Sequence, residues 1–147
     1  MKSLLLDTIK SLLNDKMQVA NLAMKAAQES ANSETKSSAG DKYETGRAMG
    51  QIERDMHAQQ YEKLRRERDL IDRIDPNMVF ERVGVGALIK TSAGLFFIAN
   101  SMGKIIIEAQ DFMVISAQSP IGAILMSKKA NDTFIFQQNA HLIEQVF

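Results

Sequence analysis

The chain has 147 residues, of which 45% are hydrophobic and 24% are charged, and its formal net charge is zero. This profile is typical of one or two small globular domains, and it argues against binding of nucleic acid through bulk charge. The chain contains no cysteine and no tryptophan. Disulfides, thiolate zinc sites and cysteine nucleophiles are therefore excluded, and a reducing cytoplasm is the expected location.

The first residues, 1–6, resemble the start of a signal peptide, but Asp7 and Lys10 interrupt the apolar run. A membrane-spanning helix needs about 20 predominantly apolar residues, and no later segment reaches that length. We therefore expect neither export nor insertion into a membrane.

The charge is distributed unevenly along the chain. Residues 1–75 carry thirteen basic and thirteen acidic side chains, whereas the rest of the chain carries five of each. The change falls at Asp75-Pro76-Asn77, where proline ends a helix and asparagine favours a turn. The sequence thus predicts two domains, residues 1–75 and residues 76–147.

Two helical stripes in the first domain predict an antiparallel hairpin. In the first helix, apolar residues recur in steps of three and four, which is a heptad seam: Leu13, Met17, Ala20, Met24, Ala27 and Ala31. The second helix is expected to face this seam with Met49, Ile52, Met56, Leu64, Leu70, Ile71 and Ile74. A Ser/Gly-rich stretch lies between the stripes and places the bend near residues 36–42.

After Pro76 the pattern changes to short strands rich in Val, Ile and Phe. The predicted strands are 80–90, 94–99, 104–107, 112–116, 133–137 and 141–146. Between the fourth and fifth strands, Ser119 and Pro120 have the residue types of a helix N-cap and first helical position. They predict one short helix, with Ile121, Ile124 and Leu125 facing inward. The expected fold class is therefore α+β, with a helical hairpin followed by a small β-rich domain.

The most distinctive motif is Gly40-Asp41-Lys42-Tyr43-Glu44, which carries two carboxylates three residues apart at the tip of the predicted hairpin. Carboxylates at a projecting tip suit metal binding inside the active site of another protein. On these residues alone, acids that merely keep the tip soluble are the simpler interpretation.

The order of motifs along nearly the whole chain resembles the Gre family of bacterial transcript-cleavage factors, and in particular its divergent branch in the Bacteroidetes. The matching pieces are a tip with Gly-Asp-x-x-Glu, a Val-Gly-Val-Gly-Ala opening of the second domain, and an Ile-Ser-x-x-Ser-Pro-Ile segment followed by Lys-x-x-Asp. They stand here at residues 40–44, 83–87, 115–121 and 129–132.

The resemblance implies a function. Gre factors insert the hairpin through the secondary channel of RNA polymerase, where the tip acids help to hold a second Mg²⁺ that supports cleavage of backtracked RNA. Asp41 and Glu44 would be the catalytic and metal-binding residues, acting only in the polymerase complex, and the free protein would need no cofactor. The second domain would have an FK506-binding-protein-like fold without isomerase activity and would dock on polymerase through Ser119, Pro120 and Ile121. The expected partners are RNA polymerase and the 3′ end of its backtracked RNA, with no sequence-specific DNA binding.

The tip departs from the family pattern, because Lys42 and Tyr43 stand where Leu and Ser are usual. A lysine between the acids either weakens the field that attracts the cation or binds RNA phosphate. Two alternatives to cleavage stimulation stay open: a channel binder that inhibits cleavage or modulates initiation, and a peptidyl-prolyl isomerase or chaperone. The second is disfavoured because isomerases of this fold use a tryptophan and tyrosines in their pocket, whereas both tyrosines here fall in the hairpin.

Basic residues of the second helix are further candidates for RNA contact. Arg47 and Arg54, with Lys42, lie nearest the tip. Farther along the helix, Lys63, Arg65, Arg66 and Arg68 alternate with acids, which favours a salt-bridged, solvated helix face over a nucleic-acid site.

Overall fold

The computed structural model describes residues 1–33 and 40–147, with the side chains of the second helix described from Glu44 onward. Two long helices come first and a six-stranded sheet with one short helix follows, which confirms the predicted α+β class. In chain order the elements are α1 (Lys2–Ser33), α2 (Gly40–Asp72), β1 (Leu88–Thr91), β2 (Gly94–Ala99), β3 (Gly103–Ile107), β4 (Gln110–Ser116), α3 (Pro120–Leu125), β5 (Thr133–Phe136) and β6 (Asn139–Val146).

The chain divides into two compact units, which interleave along the sequence. One unit, the helical unit, is Lys10–Asp69, and the other, the β-rich unit, combines Met1–Ile9 with Leu70–Phe147. The predicted domains, 1–75 and 76–147, follow chain order instead. The beginning of α1 and the end of α2 therefore belong to the β-rich unit.

Two contacts fix the antiparallel pairing within the helical unit. Nε of Arg68 donates a hydrogen bond of 3.1 Å to Oδ1 of Asn14. Toward the other end, Gly50 lies against Ala31, where a Cβ added to the glycine would be 2.8 Å from the alanine Cβ. The predicted inner face of α1 is confirmed, with Leu13, Ala20, Ala27 and Ala31 buried and Met17 and Met24 half-buried.

The inner face of α2 differs from the prediction. Leu64 and Ile71 are buried as expected, but Met49, Ile52 and Met56 are exposed. The inner positions recur every seven residues as Gly50, His57, Leu64 and Ile71, of which His57 is half-buried and the others are buried. Because Gly50 has no side chain, α1 approaches the backbone of α2 there, and the larger apolar residues beside it point outward.

The sheet of the β-rich unit has the strand order β3-β4-β2-β1-β6-β5. Its pairs are antiparallel except for β2 and β4, which run parallel with Ala99 opposite Ser116. This parallel pair places the end of β2 beside the turn that leads into α3. The register of the sheet therefore positions the Ser-Pro-Ile motif.

Both faces of the sheet bury apolar side chains. On one face, Ile121 and Leu125 of α3 join a core with Ile89, Phe96 and Ile98. Side chains that alternate with these, including Phe97, Phe112 and Val114, are buried as well. A cavity of about 800 Å³ at this second face is lined by residues of four strands and by Met1, Lys2 and Ser3, which places the start of α1 beside the sheet.

Lys2 attaches the start of α1 to the segment after Pro76. Its Nζ donates a 2.7 Å hydrogen bond to the carbonyl oxygen of Met78 and lies 4.8 Å from the ring centroid of Phe80. Burial of the ammonium group lowers the pKa of Lys2 from its usual value, against the attraction of Asp75. The carbonyl bond and the cation–π contact offset part of the cost of burying this charge.

The first predicted strand, 80–90, is wrong for its first eight residues, since β1 begins only at Leu88. The preceding segment pairs with the loop after α3: the amide of Val83 donates to the oxygen of Lys128, and the amide of Ser127 donates to the oxygen of Val83. Gly86, with a φ of +97°, then breaks the extended conformation.

Two tight turns hold non-glycine residues in the left-handed region. Glu108 and Ala109 join β3 to β4 with φ of 51° and 63°, and Gln137 and Gln138 join β5 to β6 with φ of 52° and 68°. Two-residue hairpin loops with positive φ at both positions are of type I′ and favour Asn-Gly. Both turns therefore carry backbone strain.

Replacing Ala109 by glycine should accordingly stabilise the β-rich unit by about 0.5–1 kcal/mol, because glycine adopts positive φ without a Cβ clash. The matched control is Ala140→Gly on β6, where φ is not positive and the same change should lower stability. Urea denaturation of the three proteins measures both effects. Equal destabilisation by the two substitutions would contradict the strained turn.

Candidate functional site

The predicted tip acids lie at the beginning of α2. Gly40 is the first residue of this helix, so Asp41 and Glu44 are one turn apart and on the same side of it. Glu44 is exposed to solvent. The side chains of Asp41 and Lys42, and most of the predicted bend near residues 36–42, lie outside the described part of the chain. The exposed carboxylate of Glu44 suits a ligand that approaches from outside the protein.

Arg47 and Arg54 are exposed and lie seven residues apart on α2, which places them on one face of the helix. Arg54 binds the neighbouring carboxylate, with Nη2 and Nε 2.6 and 3.2 Å from Oδ1 of Asp55. Exposed ion pairs of this kind contribute little stability. The role of both arginines in RNA contact stays a prediction.

The basic run farther along α2 forms a ladder of ion pairs. Arg65 contacts Glu62 at 2.6 Å and Asp69 at 2.9 Å, and Arg66 lies 3.7 Å from Glu62. The hydrogen bond from Arg65 lowers the pKa of Glu62, and the same bond raises the pKa of Arg65. These contacts confirm the predicted salt-bridged helix face.

The Ser-Pro-Ile motif forms the start of α3 as predicted. Ser119 is the N-cap: its Oγ accepts a 3.0 Å hydrogen bond from the amide of Gly122 and donates a 2.7 Å bond to the carbonyl oxygen of Ser116. Pro120 occupies the first helical turn, where its missing N–H costs nothing.

Burial divides the three predicted docking residues. Ile121 is buried in the core, Ser119 is half-buried with its hydroxyl bonded within the turn, and Pro120 is exposed. The docking role of this motif stays a prediction. Of the three side chains, Pro120 is the one placed to contact a partner.

Gly122 is a structural requirement that the sequence analysis did not identify. A Cβ at this position would overlap the carbonyl oxygen of Ser116 and lie 2.8 Å from Oγ of Ser119. The sequence feature that identifies Gly122 is its position three residues after the N-cap serine. The backbone amide at this position must approach the serine hydroxyl.

In residues 1–33 and 40–147, no three His, Asp or Glu side chains whose positions are described come together as a metal site. No helix in the same part of the chain is both long and apolar enough to cross a membrane.

The chain has a distant likeness to known structures. No family model matches the chain, and no curated protein matches it. Among solved structures, the structure of the transcription factor Gfh1 matches with 15% identity and a TM-score of 0.36, over 96% of this chain and 92% of that chain. Similarity at this level decides neither the fold nor the activity of this chain.

Proposed function

We propose that this protein is a Gre-type factor that binds RNA polymerase, inserts its hairpin into the secondary channel and stimulates cleavage of backtracked RNA. The observation that carries the proposal is the start of α2, where Asp41 and Glu44 stand one turn apart and the Glu44 carboxylate faces solvent. The motif order along the sequence supports the same assignment.

The two carboxylates fit Mg²⁺, which prefers oxygen ligands, retains several waters and needs only one or two protein carboxylates. When bound at the catalytic centre of polymerase, a second Mg²⁺ would stabilise charge on the phosphodiester and lower the pKa of a bound water. Asp41 and Glu44 supply oxygen ligands from the hairpin, and the remaining ligands come from polymerase and RNA. The protein is therefore a helper of the polymerase reaction and not an enzyme by itself.

The alternative that a specific observation favours is a channel binder that inhibits cleavage or modulates initiation. Lys42 stands between the two acids in sequence and carries the opposite charge. A positive charge near the acids opposes their attraction for a cation. Channel occupancy and cleavage are therefore separate properties of this tip.

A cleavage assay tests the proposal. Purified protein is added to a backtracked elongation complex with 5′-labelled RNA, and its binding to the complex is measured in parallel. We expect Mg²⁺-dependent shortening of the RNA well above the intrinsic rate of polymerase. Binding without shortening would replace stimulation by the inhibitory function, and absence of binding would overturn the Gre-type assignment.

A further inference from the structure

Three basic residues of the β-rich unit lie together beside the loop that follows α3. Arg82 is directly opposite Lys129 in an isolated antiparallel bridge, and Lys128 precedes Lys129 in the chain. Arg82 and Lys129 are exposed, and Lys128 is half-buried. We call these three residues the basic cluster.

The basic cluster differs from the lysines of the strands, each of which has an acidic partner. Nζ of Lys104 on β3 lies 2.9 Å from Asp111, and Nζ of Lys90 on β1 lies 3.9 Å from Glu144. In the described part of the chain, no carboxylate forms an ion pair with a residue of the basic cluster. Its positive charges are therefore available to an anion from outside that part of the chain.

The bridge places two like charges against each other. Residues directly opposite in an antiparallel pair have Cβ atoms about 4.5–5.5 Å apart, and like charges at this separation destabilise the pair. Arg82 and Lys129 therefore repel each other in the free protein. An anion bound between them relieves this repulsion, which gives the cluster an attraction for anions beyond that of two scattered cations.

A backbone contact orients the guanidinium of Arg82. Its Nη1 donates a 3.0 Å hydrogen bond to the carbonyl oxygen of Ser127, whereas Nε and Nη2 make no hydrogen bond to the residues that the structure describes. This second edge of a guanidinium binds both oxygens of a carboxylate through two parallel hydrogen bonds. Arg65 binds Glu62 in this way, with Nε and Nη2 at 2.9 and 2.6 Å. Arg82 is thus oriented for the same contact with a carboxylate of a partner.

The loop after α3 holds its two lysines on a fixed backbone. The amide of Val83 donates a 2.7 Å hydrogen bond to the oxygen of Lys128, and the amide of Ser127 donates a 2.9 Å bond to the oxygen of Val83. Farther along, the amide of Asn131 donates a 2.8 Å bond to the oxygen of Ile143. Because this backbone is already ordered, binding of an anion does not have to order it.

The local charge favours a single carboxylate over nucleic acid. Glu81 and Asp132 flank the basic cluster in sequence, so residues 81–82 and 127–132 have three positive and two negative charges and a net charge of +1. Asp132 belongs to the turn, since its Oδ2 accepts a 2.9 Å bond from the amide of Lys129. Duplex DNA presents one negative charge per roughly 1.7 Å of its axis, and its proteins meet it with longer basic surfaces. A compact site with one oriented guanidinium fits an Asp or Glu side chain instead.

We propose that the basic cluster binds an Asp or Glu side chain on the surface of RNA polymerase. This inference rests on the proposed function, which supplies the partner. Pro120 begins the six-residue helix α3, and the loop of the basic cluster follows the end of this helix. The length of α3 is about 9 Å, so one interface of ordinary size can include both Pro120 and the cluster.

The test combines Arg82→Gln, Lys128→Gln and Lys129→Gln in one variant and measures its Kd for cognate RNA polymerase. We expect binding to weaken roughly tenfold or more at low salt, because the charged contacts to the carboxylate are lost. The loss should be smaller at about 0.5 M salt than at about 0.05 M salt, since salt screens exposed charges. Arg82→Lys keeps the charge but lacks the two-pronged edge, and it should also bind several-fold more weakly.

The matched control is Lys104→Gln, which removes one positive charge from the opposite side of the same unit. Lys104 is 57% exposed on β3, at one edge of the sheet, whereas the loop of the basic cluster leads into β5 at the other edge. Affinity of the control should stay within twofold of the parent. Urea denaturation should show that Lys129→Gln is at least as stable as the parent, because it removes the repulsion from Arg82.

Carbodiimide coupling identifies the anion, because it joins a lysine amine to a carboxylate in contact with it. In the complex of the parent protein with polymerase, mass spectrometry should find an amide between Lys128 or Lys129 and an Asp or Glu of polymerase. No such product is expected from Lys104.

Four results would contradict this inference. If the parent binds polymerase and the triple variant binds equally well, the contact is wrong and the proposed function stands. If Lys129→Gln lowers stability, the lysine serves the fold and not a partner. If the free parent binds a short single-stranded RNA and the triple variant does not, the anion is phosphate and not carboxylate. A parent that fails to bind polymerase overturns the proposed function and this inference together.

Discussion

Gly122→Ala is expected to destabilise the β-rich unit by about 3 kcal/mol or more while the helical unit stays folded. The new Cβ would overlap the carbonyl oxygen of Ser116, which is backbone, and it would crowd the Ser119 hydroxyl that caps α3. No rotation of a side chain relieves a clash with backbone, so the turn and helix must separate. Hydrogen exchange measured separately for Leu88–Val146 and Lys10–Asp69 would show loss of protection in the first range alone.

Gly103→Ala is the matched control for this change. Gly103 has a φ of +76° but nothing within 4 Å of an added Cβ, so alanine there introduces backbone strain without a collision. The expected cost is about 1–2 kcal/mol. If Gly122→Ala proved no more damaging than this control, the close approach of Gly122 to Ser116 would not be a requirement of the fold.

The second large effect concerns the tip. Asp41→Asn and Glu44→Gln preserve size but remove the charges that we propose hold a cation, so RNA cleavage should fall by at least tenfold while affinity for polymerase stays within twofold. High Mg²⁺ should restore part of the activity of the Asp41 variant. Cleavage of a backtracked complex and binding to the same complex are measured side by side. Full cleavage activity of the double variant would exclude the two acids from the reaction.

Lys42→Leu tests the lysine that stands between the two acids in the sequence. Cleavage should increase if the ammonium group weakens the field of the two carboxylates, and it should decrease if Lys42 binds RNA phosphate. Affinity for polymerase should be unaffected in the first case.

The elements that follow local rules were predictable from the sequence. Ser119 and Pro120 have the chemistry of a helix start, and α3 begins where they predict, because capping depends on a few neighbouring backbone groups. The inner face of α1 was also predictable, because apolar residues spaced three and four apart form a continuous stripe along one side of the helix.

The face of α2 was not predictable from hydrophobicity. Met49, Ile52 and Met56 have the spacing of a buried stripe, yet the inner position at that level belongs to Gly50. The choice depends on how closely two backbones approach, which is a tertiary property. The recurrence of Gly50, His57, Leu64 and Ile71 every seven residues is the signal that identifies the inner face, but it contains only two large apolar residues.

The tip motif falls at the start of α2, and its role as a site stays a prediction. The inward position of Ile121 was predictable from its place in the first turn of the short helix, and the structure confirms it. By contrast, strand propensity predicted 80–87 as extended, but pairing with the loop after α3 and the positive φ of Gly86 decided its conformation.

The interleaving of the two units has a consequence for synthesis on the ribosome. The helical unit is complete once Asp69 has emerged, whereas the β-rich unit combines Met1–Ile9 with strands that end at Val146. Strand β6 lies between β1 and β5 in the sheet. Strand β5 therefore cannot join β1 and its neighbours before β6, the last strand, has been synthesised. At 5–20 residues per second, this delay lasts roughly 4–15 s. During that interval Leu5, Ile9 and the strands rich in Ile and Phe lack the partners that bury them in the folded β-rich unit.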